Sequence, residues 1–139
     1  MAACPEGREH PPAVEEALRY DGAVPFIHRV ALEDVEIEGK RVKAGQVVFL
    51  GTTAANRDSE VFADPDRFDI TRENVGRHLA FGYGPHGCLG AGLARQELAI
   101  GLSTLLRRLP DLRLDADHPP VRKCESLVFR GFSSLPVVF

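Results

Sequence analysis

Cys88 lies in a loop that is crowded with glycine, within the stretch HLAFGYGPHGCLGAGLARQEL at residues 78–98. Glycine allows a positive φ angle or a very close approach of another group to the backbone, and a cysteine that only packs needs neither. The thiol stands at the start of a predicted helix, where free N–H groups and the helix dipole favour a thiolate. Because no partner ligand lies nearby, we interpret the loop as the binding site of a flat metal macrocycle that brings its other ligands, namely haem.

Two other interpretations of the same loop stay open at this level. Residues 82–87 spell G-x-G-x-x-G between a strand-like HLAF segment and a helix, as in a dinucleotide-binding fingerprint, so a nucleotide-binding protein is one alternative. Two observations argue against this alternative. Pro85 removes an N–H from a turn that would have to offer N–H groups to phosphate. The acidic residue Asp115 also lies farther after Gly87 than the roughly 20 residues that separate the glycines from the acid in that fingerprint. The other alternative is a buried cysteine that packs as a small hydrophobe.

Several motifs of the chain resemble those of the cytochrome P450 family, the haem-thiolate monooxygenases. The segment FGYGPHGCLG (81–90) is similar to the family's haem-binding signature at every specified position, and EALR (16–19) resembles its Glu-x-x-Arg helix. FADPDRF (62–68) resembles the family segment that meets this helix, and AANRD (54–58) resembles soluble bacterial members. The similarity covers residues 11–139 in family order, whereas residues 1–10 resemble nothing in the family.

The resemblance implies haem b, iron protoporphyrin IX, as the cofactor and Cys88 as the proximal iron ligand, where a thiolate pushes electron density to the iron and favours O–O cleavage. It implies that His86 and Arg29 approach the haem propionates, since a guanidinium suits carboxylates, and that Phe81 packs beside the sulfur. The alternative for His86 is a solvated loop histidine, and the alternative for Arg29 is a surface arginine. The implied haem-binding residues together are Arg29, Phe81, Gly82, His86, Cys88 and Gly90.

Two further sets of residues follow from the resemblance. Glu16 and Arg19 lie one turn apart on a predicted helix, and the family pattern adds Arg67 as a second cation, so that the three form a buried structural network. Taken alone, the first two residues are an ordinary surface pair. The possible substrate pocket comprises Val24, Pro25, Phe26, Ile27, Val128 and Phe129, for which plain strand core is the alternative.

The reaction that the resemblance implies is the O2-dependent oxidation of a small hydrophobic organic substrate by an oxidoreductase that takes electrons from a ferredoxin-type donor and its reductase. Arg77 and Arg95 flank the cysteine, where an acidic donor would dock; the alternative, which is the more common case for single arginines, is that both are solvated surface residues. The Ala/Gly-Gly-x-Asp/Glu-Thr motif of the family's oxygen-activating helix does not occur in the sequence. We therefore expect the C-terminal, haem-ligating portion of a cytochrome P450, with a truncated, catalytically inactive haem-binding fragment as the alternative.

The elements that must position the Cys88 loop predict an α+β fold, and the resemblance implies that this fold is the C-terminal part of the cytochrome P450 fold. Prolines open a short helix at 12–20, and Val- and Phe-rich segments between 24 and 50, with turns at 38–39 and 44–45, predict antiparallel strands. A short helical turn and a long ordered loop follow. Leucines at helical spacing predict a long helix from Leu89 to Arg108, which Pro110 ends, and closing strands complete the chain.

Composition argues against several classes of protein. The 139 residues carry a net charge of -3, with 44% apolar and 27% charged residues, as in an ordinary globular domain. The basic residues are spread along the chain, which argues against a nucleic-acid partner. The cysteines are dispersed without a Cys-x-x-Cys pair, which predicts neither zinc nor disulfides and fits a reducing cytoplasm, and no apolar stretch is long enough to span a membrane.

Overall fold

The computed structural model describes residues 11–123 and 128–139, and the predicted family-unrelated start at 1–10 lies outside them. Within the described residues the architecture is α+β, as predicted. Short strands pair into two-stranded antiparallel sheets around three α-helices. No helix in this described part is both long and apolar enough to cross a bilayer.

Helix α1 spans Pro12–Tyr20, where the sequence predicts it. A proline in the first turn is tolerated because its missing N–H would have no helical partner there. The buried face of α1 consists of Val14, Glu15, Glu16 and Arg19. Because three of these four side chains are charged, each charge must be satisfied by a partner inside the protein.

Four strands follow α1, and they confirm the antiparallel strands predicted between residues 24 and 50. They are β1 (Ile27–Val30), β2 (Val35–Ile37), β3 (Lys40–Val42) and β4 (Val47–Leu50). β1 pairs with β4, so that Arg29 lies opposite Val48, and β2 pairs with β3 in a hairpin. The hairpin turn has positive φ at Glu38 (48°) and Gly39 (71°), which matches the twist of the two strands.

The segment between β4 and the Cys88 loop has little regular structure. Helix α2 (Thr52–Ala55) is one turn long, and 3₁₀ turns occur at Val75–Arg77 and Gly84–His86. The prediction that residues 78–81 are strand-like is wrong, because backbone N–H groups there are taken by side chains. Leu79 N–H donates to the Asn56 side chain at 2.7 Å, and Ala80 N–H donates to the His78 ring at 3.1 Å.

Helix α3 spans Ala91–Arg108 and starts two residues later than predicted. Its first turn is anchored to the loop, since Ala91 N–H donates to the Cys88 carbonyl at 3.2 Å. The helix ends before Pro110, as predicted, because proline cannot continue it. None of its residues is buried within the described structure, although one turn contacts α1.

The predicted closing strands are confirmed as two short antiparallel pairs. β5 (Arg113–Leu114) pairs with β8 (Val137–Val138), and β6 (Val121–Arg122) pairs with β7 (Phe132–Ser134). The best-buried part of the molecule lies elsewhere, around α1, and it is largely polar. Its apolar members are Val14 and Phe62, and its polar members are Glu15, Glu16, Arg19, Thr52, Asn56 and His78.

Candidate functional site

A cavity of about 460 Å³ lies where α1, β1, the start of α2 and the Cys88 loop meet. This volume is in the range of small-molecule and cofactor pockets. The lining is mostly apolar and consists of Leu18, Ala23, Val24, Ile27, Arg29, Thr52, Ala80, Phe81, Gly82, His86 and Cys88. A second cavity of about 420 Å³ is lined in part by the same residues, Ile27, Arg29, Thr52 and Gly82.

Backbone hydrogen bonds close the Cys88 loop and hold the main chain that carries its thiol. Cys88 N–H donates to the Phe81 carbonyl at 2.9 Å, and Gly87 N–H donates to the Gly84 carbonyl at 2.9 Å. The cysteine is free and exposed, and it borders the cavity. The structure therefore does not support the alternative of a buried cysteine that packs as a small hydrophobe.

The glycines of this loop differ in backbone conformation. Gly82 and Gly84 have φ angles of 72° and 75°, a region that side chains with a Cβ rarely adopt. Gly90 has an ordinary φ of -82°, but a Cβ there would lie 3.8 Å from the Cys88 sulfur. The first two glycines thus shape the turn, whereas a Cβ at Gly90 would make an ordinary van der Waals contact with the sulfur.

Besides Cys88, two side chains that carry or can carry a positive charge border the mostly apolar cavity. Arg29 on β1 is half-buried, and its guanidinium donates to the carbonyl of His28 at 2.8 Å. His86 is exposed on the 3₁₀ turn of the loop. Both positions suit the binding of carboxylate groups that project from a ligand in the cavity.

Two of the six predicted pocket residues, Val24 and Ile27, line the cavity. Their segment is held in place by α2, since the Thr52 hydroxyl donates to the Val24 carbonyl at 2.6 Å. The other four predicted residues are not among its lining residues. Pro25 accepts hydrogen bonds from Thr53, Phe26 packs edge-to-face on Phe49, and Val128 and Phe129 lie outside at exposures of 55% and 59%.

Arg19 is the most completely bonded side chain of the buried polar cluster. Its guanidinium donates to both oxygens of Glu16, at 2.7 and 2.8 Å, and neither side chain is exposed. It also donates to the backbone carbonyls of Asn56, Pro65 and Arg67, at 2.8, 2.9 and 3.2 Å. All five N–H groups of the guanidinium are thus used, which offsets the cost of burying its charge.

The prediction that Arg67 supplies the second cation of this network needs correction. Arg67 is exposed and contributes its backbone carbonyl, because the chain at 65–69 passes α1 with its main chain. The second guanidinium near Glu16 is that of Arg72, 3.6 Å from the carboxylate and with a side chain only 8% exposed. Burial acts to raise the pKa of Glu16. Hydrogen bonds from Arg19 and from the Asp69 amide outweigh it, together with the positive charges of Arg19 and Arg72, so that the pKa lies below its usual value.

A second buried carboxylate, Glu15, was not singled out by the sequence. Its oxygens accept two bonds from Arg95 of α3, at 2.7 and 3.0 Å, and one from the His78 ring at 3.0 Å. Burial would raise the pKa of Glu15, but the hydrogen bonds from His78 and Arg95, with the positive charge of Arg95, lower it to about 2. The expectation that Arg95 faces a docking partner is thereby weakened, because its guanidinium is committed to Glu15.

The donor set around the cavity fits a haem better than a bare metal ion or a nucleotide. Among the described residues, no three His, Cys, Asp or Glu side chains converge on one point, so Cys88 stands as a lone sulfur donor. A macrocycle with its own equatorial ligands needs only such a single donor. The dinucleotide interpretation lacks its strand at 78–81, and Pro85 occupies the 3₁₀ turn where phosphate-binding N–H groups would be needed.

Comparisons with known proteins point to a single family. A family model described as Cytochrome P450 matches residues 12–130 of the chain. Cytochrome P450 140 of Mycobacterium tuberculosis is 52% identical over 134 residues, which make up 94% of this chain and 30% of that protein. The 20-oxo-5-O-mycaminosyltylactone 23-monooxygenase of Streptomyces fradiae is 47% identical over 130 residues, or 93% of this chain and 30% of the enzyme.

Similarity extends to solved three-dimensional structures. Cytochrome P450 CREJ in complex with (4-ethylphenyl) dihydrogen phosphate superposes with a TM-score of 0.88 at 42% identity. The match covers 94% of this chain and 32% of that structure. The chain thus spans about a third of the length of the proteins it matches.

Proposed function

Because this chain belongs to the cytochrome P450 family, we propose that it binds haem b and that the Cys88 thiolate is the proximal ligand of the haem iron. One observation carries the proposal: a free, exposed thiol borders a largely apolar cavity of about 460 Å³. A soft thiolate is a ligand that iron in a macrocycle accepts, and the apolar lining suits a flat hydrophobic ring.

Other residues of the site would hold the cofactor in the orientation that the thiolate requires. Arg29 and His86 would bind its carboxylates, and Phe81 would pack beside the sulfur and keep water from it. Gly82 and Gly90 would let the ring approach the backbone closely, since neither carries a side chain. Thiolate-ligated haem supplies the chemistry that cleaves the O–O bond of dioxygen.

The overall reaction that we propose is the monooxygenation of a small hydrophobic organic molecule, with electrons from a ferredoxin-type donor and its reductase. It rests on the family and on relatives such as the Streptomyces fradiae 23-monooxygenase. The chain spans about a third of that enzyme, and its sequence lacks the acid–Thr motif for oxygen activation. We therefore assign turnover to a longer polypeptide and assign the iron ligand and its surroundings to this chain.

An absorption spectrum tests the proposed haem site. The chain is mixed with haem, freed of excess haem, reduced and exposed to carbon monoxide. Thiolate ligation predicts a strongly red-shifted Soret band. An ordinary Soret band would show that another ligand binds the iron, and the absence of any retained haem would leave the dinucleotide alternative to be tested with nucleotides.

A further inference from the structure

Glu15 connects helix α1 to the segments on both sides of Cys88 in the sequence. Its carboxylate receives a two-point contact from Arg95, seven residues after the cysteine, at 2.7 and 3.0 Å. The same carboxylate lies 3.0 Å from the Nε2 atom of His78, which precedes the loop. The side chain of Glu15 is 11% exposed and that of His78 is 1% exposed, so water competes little for these bonds.

The hydrogen bonds of His78 define its orientation. Its Nδ1 atom accepts the N–H of Ala80 at 3.1 Å, which places the ring proton on Nε2. Nε2 therefore donates to Glu15, and the ring is held at both nitrogens. This arrangement fixes the backbone immediately before Phe81, whose ring centroid lies 6.2 Å from that of His78.

Arg95, which follows Cys88 in the sequence, connects Glu15 to Phe81 at the start of the loop. Its guanidinium carbon lies 4.7 Å from the centre of the Phe81 ring, a cation–π contact. The carbonyl of Phe81 accepts the N–H of Cys88 at 2.9 Å. A continuous series of contacts thus runs from Glu15 through Arg95 and Phe81 to the backbone of Cys88.

The neighbouring carboxylate, Glu16, belongs to a different set of contacts. It is fully buried on the same helix, but its partners are Arg19, Arg72 and the N–H of Asp69, which donates at 2.8 Å. None of these partners belongs to the Cys88 loop. Two adjacent glutamates of α1 therefore hold two separate parts of the chain, and each can serve as the control for the other.

We propose that Glu15 is a positioning residue for the cysteine site: through Arg95 and His78 it holds Phe81, and with it the Cys88 loop, in the geometry that ligates iron. The inference rests on the proposed function as far as the iron is concerned. Two-point arginine–carboxylate contacts are geometrically specific, and lysine does not reproduce their planar fork or their stacking on a ring. Without Glu15, the Arg95 side chain is free to turn into solvent, and the Phe81 ring then loses its cation–π contact with Arg95.

The test uses Glu15→Gln with Glu16→Gln as the matched control in the 139-residue chain. The first readout needs no haem: it is the hydrogen-exchange rate of two backbone amides, Cys88 and Asp69. Glu15→Gln is expected to speed exchange at Cys88 about tenfold relative to Asp69, because a local opening loses a charge-assisted contact. Glu16→Gln is expected to do the reverse, since Asp69 donates to the Glu16 carboxylate.

The second readout is the share of the thiolate-type band in the spectrum of the reduced, carbon-monoxide-bound protein. Glu15→Gln is expected to shift this share toward the ordinary band, and Glu16→Gln is expected to leave it unchanged. Arg95→Lys is the second variant in case Glu15→Gln does not fold, and it should behave as Glu15→Gln does, because lysine keeps only the charge.

The outcomes separate the two proposals. Equal effects of Glu15→Gln and Glu16→Gln on both amides, or no effect of Glu15→Gln and Arg95→Lys on Cys88, would overturn the positioning role. An unmutated chain that gives only the ordinary band would instead overturn the proposed iron ligand, and the amide exchange would still decide the role of Glu15 in the loop.

Discussion

The carboxylate of Glu16 and the guanidinium of Arg19 form a two-point ion pair, at 2.7 and 2.8 Å, in which neither side chain is exposed. A pair three residues apart on an exposed helix stabilises a protein only slightly. Here the guanidinium also donates to the carbonyls of Asn56 and Pro65, which lie far along the chain. The pair therefore joins α1 to the long segment that leads to the Cys88 loop.

We expect Arg19→Ala to lower the free energy of unfolding by about 3–5 kcal/mol, because it leaves the Glu16 carboxylate buried beside fewer positive charges. Urea unfolding followed by circular dichroism measures the loss. Arg41→Ala is the control, since its pair with Asp34 is exposed, at 71% and 44% for the two side chains. Losses of similar size in both variants would show that the Glu16–Arg19 pair does not behave as a buried one.

A double-mutant cycle distinguishes Arg72 from Arg67 as the second partner of Glu16. We expect a coupling energy of roughly 0.5–3 kcal/mol between Glu16→Gln and Arg72→Ala, as for residues in one charged network. Arg67→Ala should show no coupling with Glu16→Gln, because Arg67 acts through its backbone carbonyl, which alanine retains. The opposite pattern would restore Arg67 to the role that the sequence predicts.

The Arg67 result shows why this part of the site could not be predicted from sequence alone. The motif at 62–68 correctly indicates the segment that meets α1, but a motif does not tell whether a residue contributes its side chain or its carbonyl. Arg72 lies outside that motif, and its approach to Glu16 depends on how the chain turns after Asp69. The prediction of a strand at 78–81 is wrong for a similar reason, since the Asn56 side chain takes the N–H of Leu79.

The pH dependence of stability should report on Glu15. Its pKa falls from an ordinary value of 4.5 to about 2 on folding, so the unfolded chain binds more protons than the folded one between these values. Its contribution is fully present above pH 4.5 and is lost as the pH falls toward 2. Glu15→Gln should therefore show a shallower loss of stability in this window, measured by unfolding at a series of pH values. A slope identical to that of the unmutated chain would contradict the assignment.

Helix α3 should make the 139-residue chain associate or bind hydrophobic dyes. None of its residues is buried, and Leu93 and Ile100 are 62% and 66% exposed, while Leu89 just before it is fully exposed. Monomers rarely expose apolar patches larger than roughly 300–600 Å². Dye fluorescence and sedimentation measure the effect, and the double variant Leu93→Gln, Ile100→Gln should reduce both signals. A monodisperse chain that binds no dye would contradict this expectation.

The Cys88 loop was predictable because its signal is local. The glycines, Phe81, His86 and the thiol lie within ten residues, and the positive φ of Gly82 and Gly84 agrees with the glycine at each position. The contacts of Glu15 with His78 and Arg95 were missed because the three residues lie far apart in sequence and meet only when α1 packs against the start of α3. Of the predicted pocket, Val24 and Ile27 line the cavity, whereas the other four residues do not.

The most direct test of the central claim is the spectrum of the reduced, carbon-monoxide-bound chain after Cys88→Ser, with Cys4→Ser and Cys124→Ser as matched controls. If Cys88 is the iron ligand, its replacement abolishes the strongly red-shifted Soret band, because serine offers no thiolate. The two controls keep that band. Retention of the red-shifted band in Cys88→Ser, or its loss in either control alone, would contradict the assignment of Cys88.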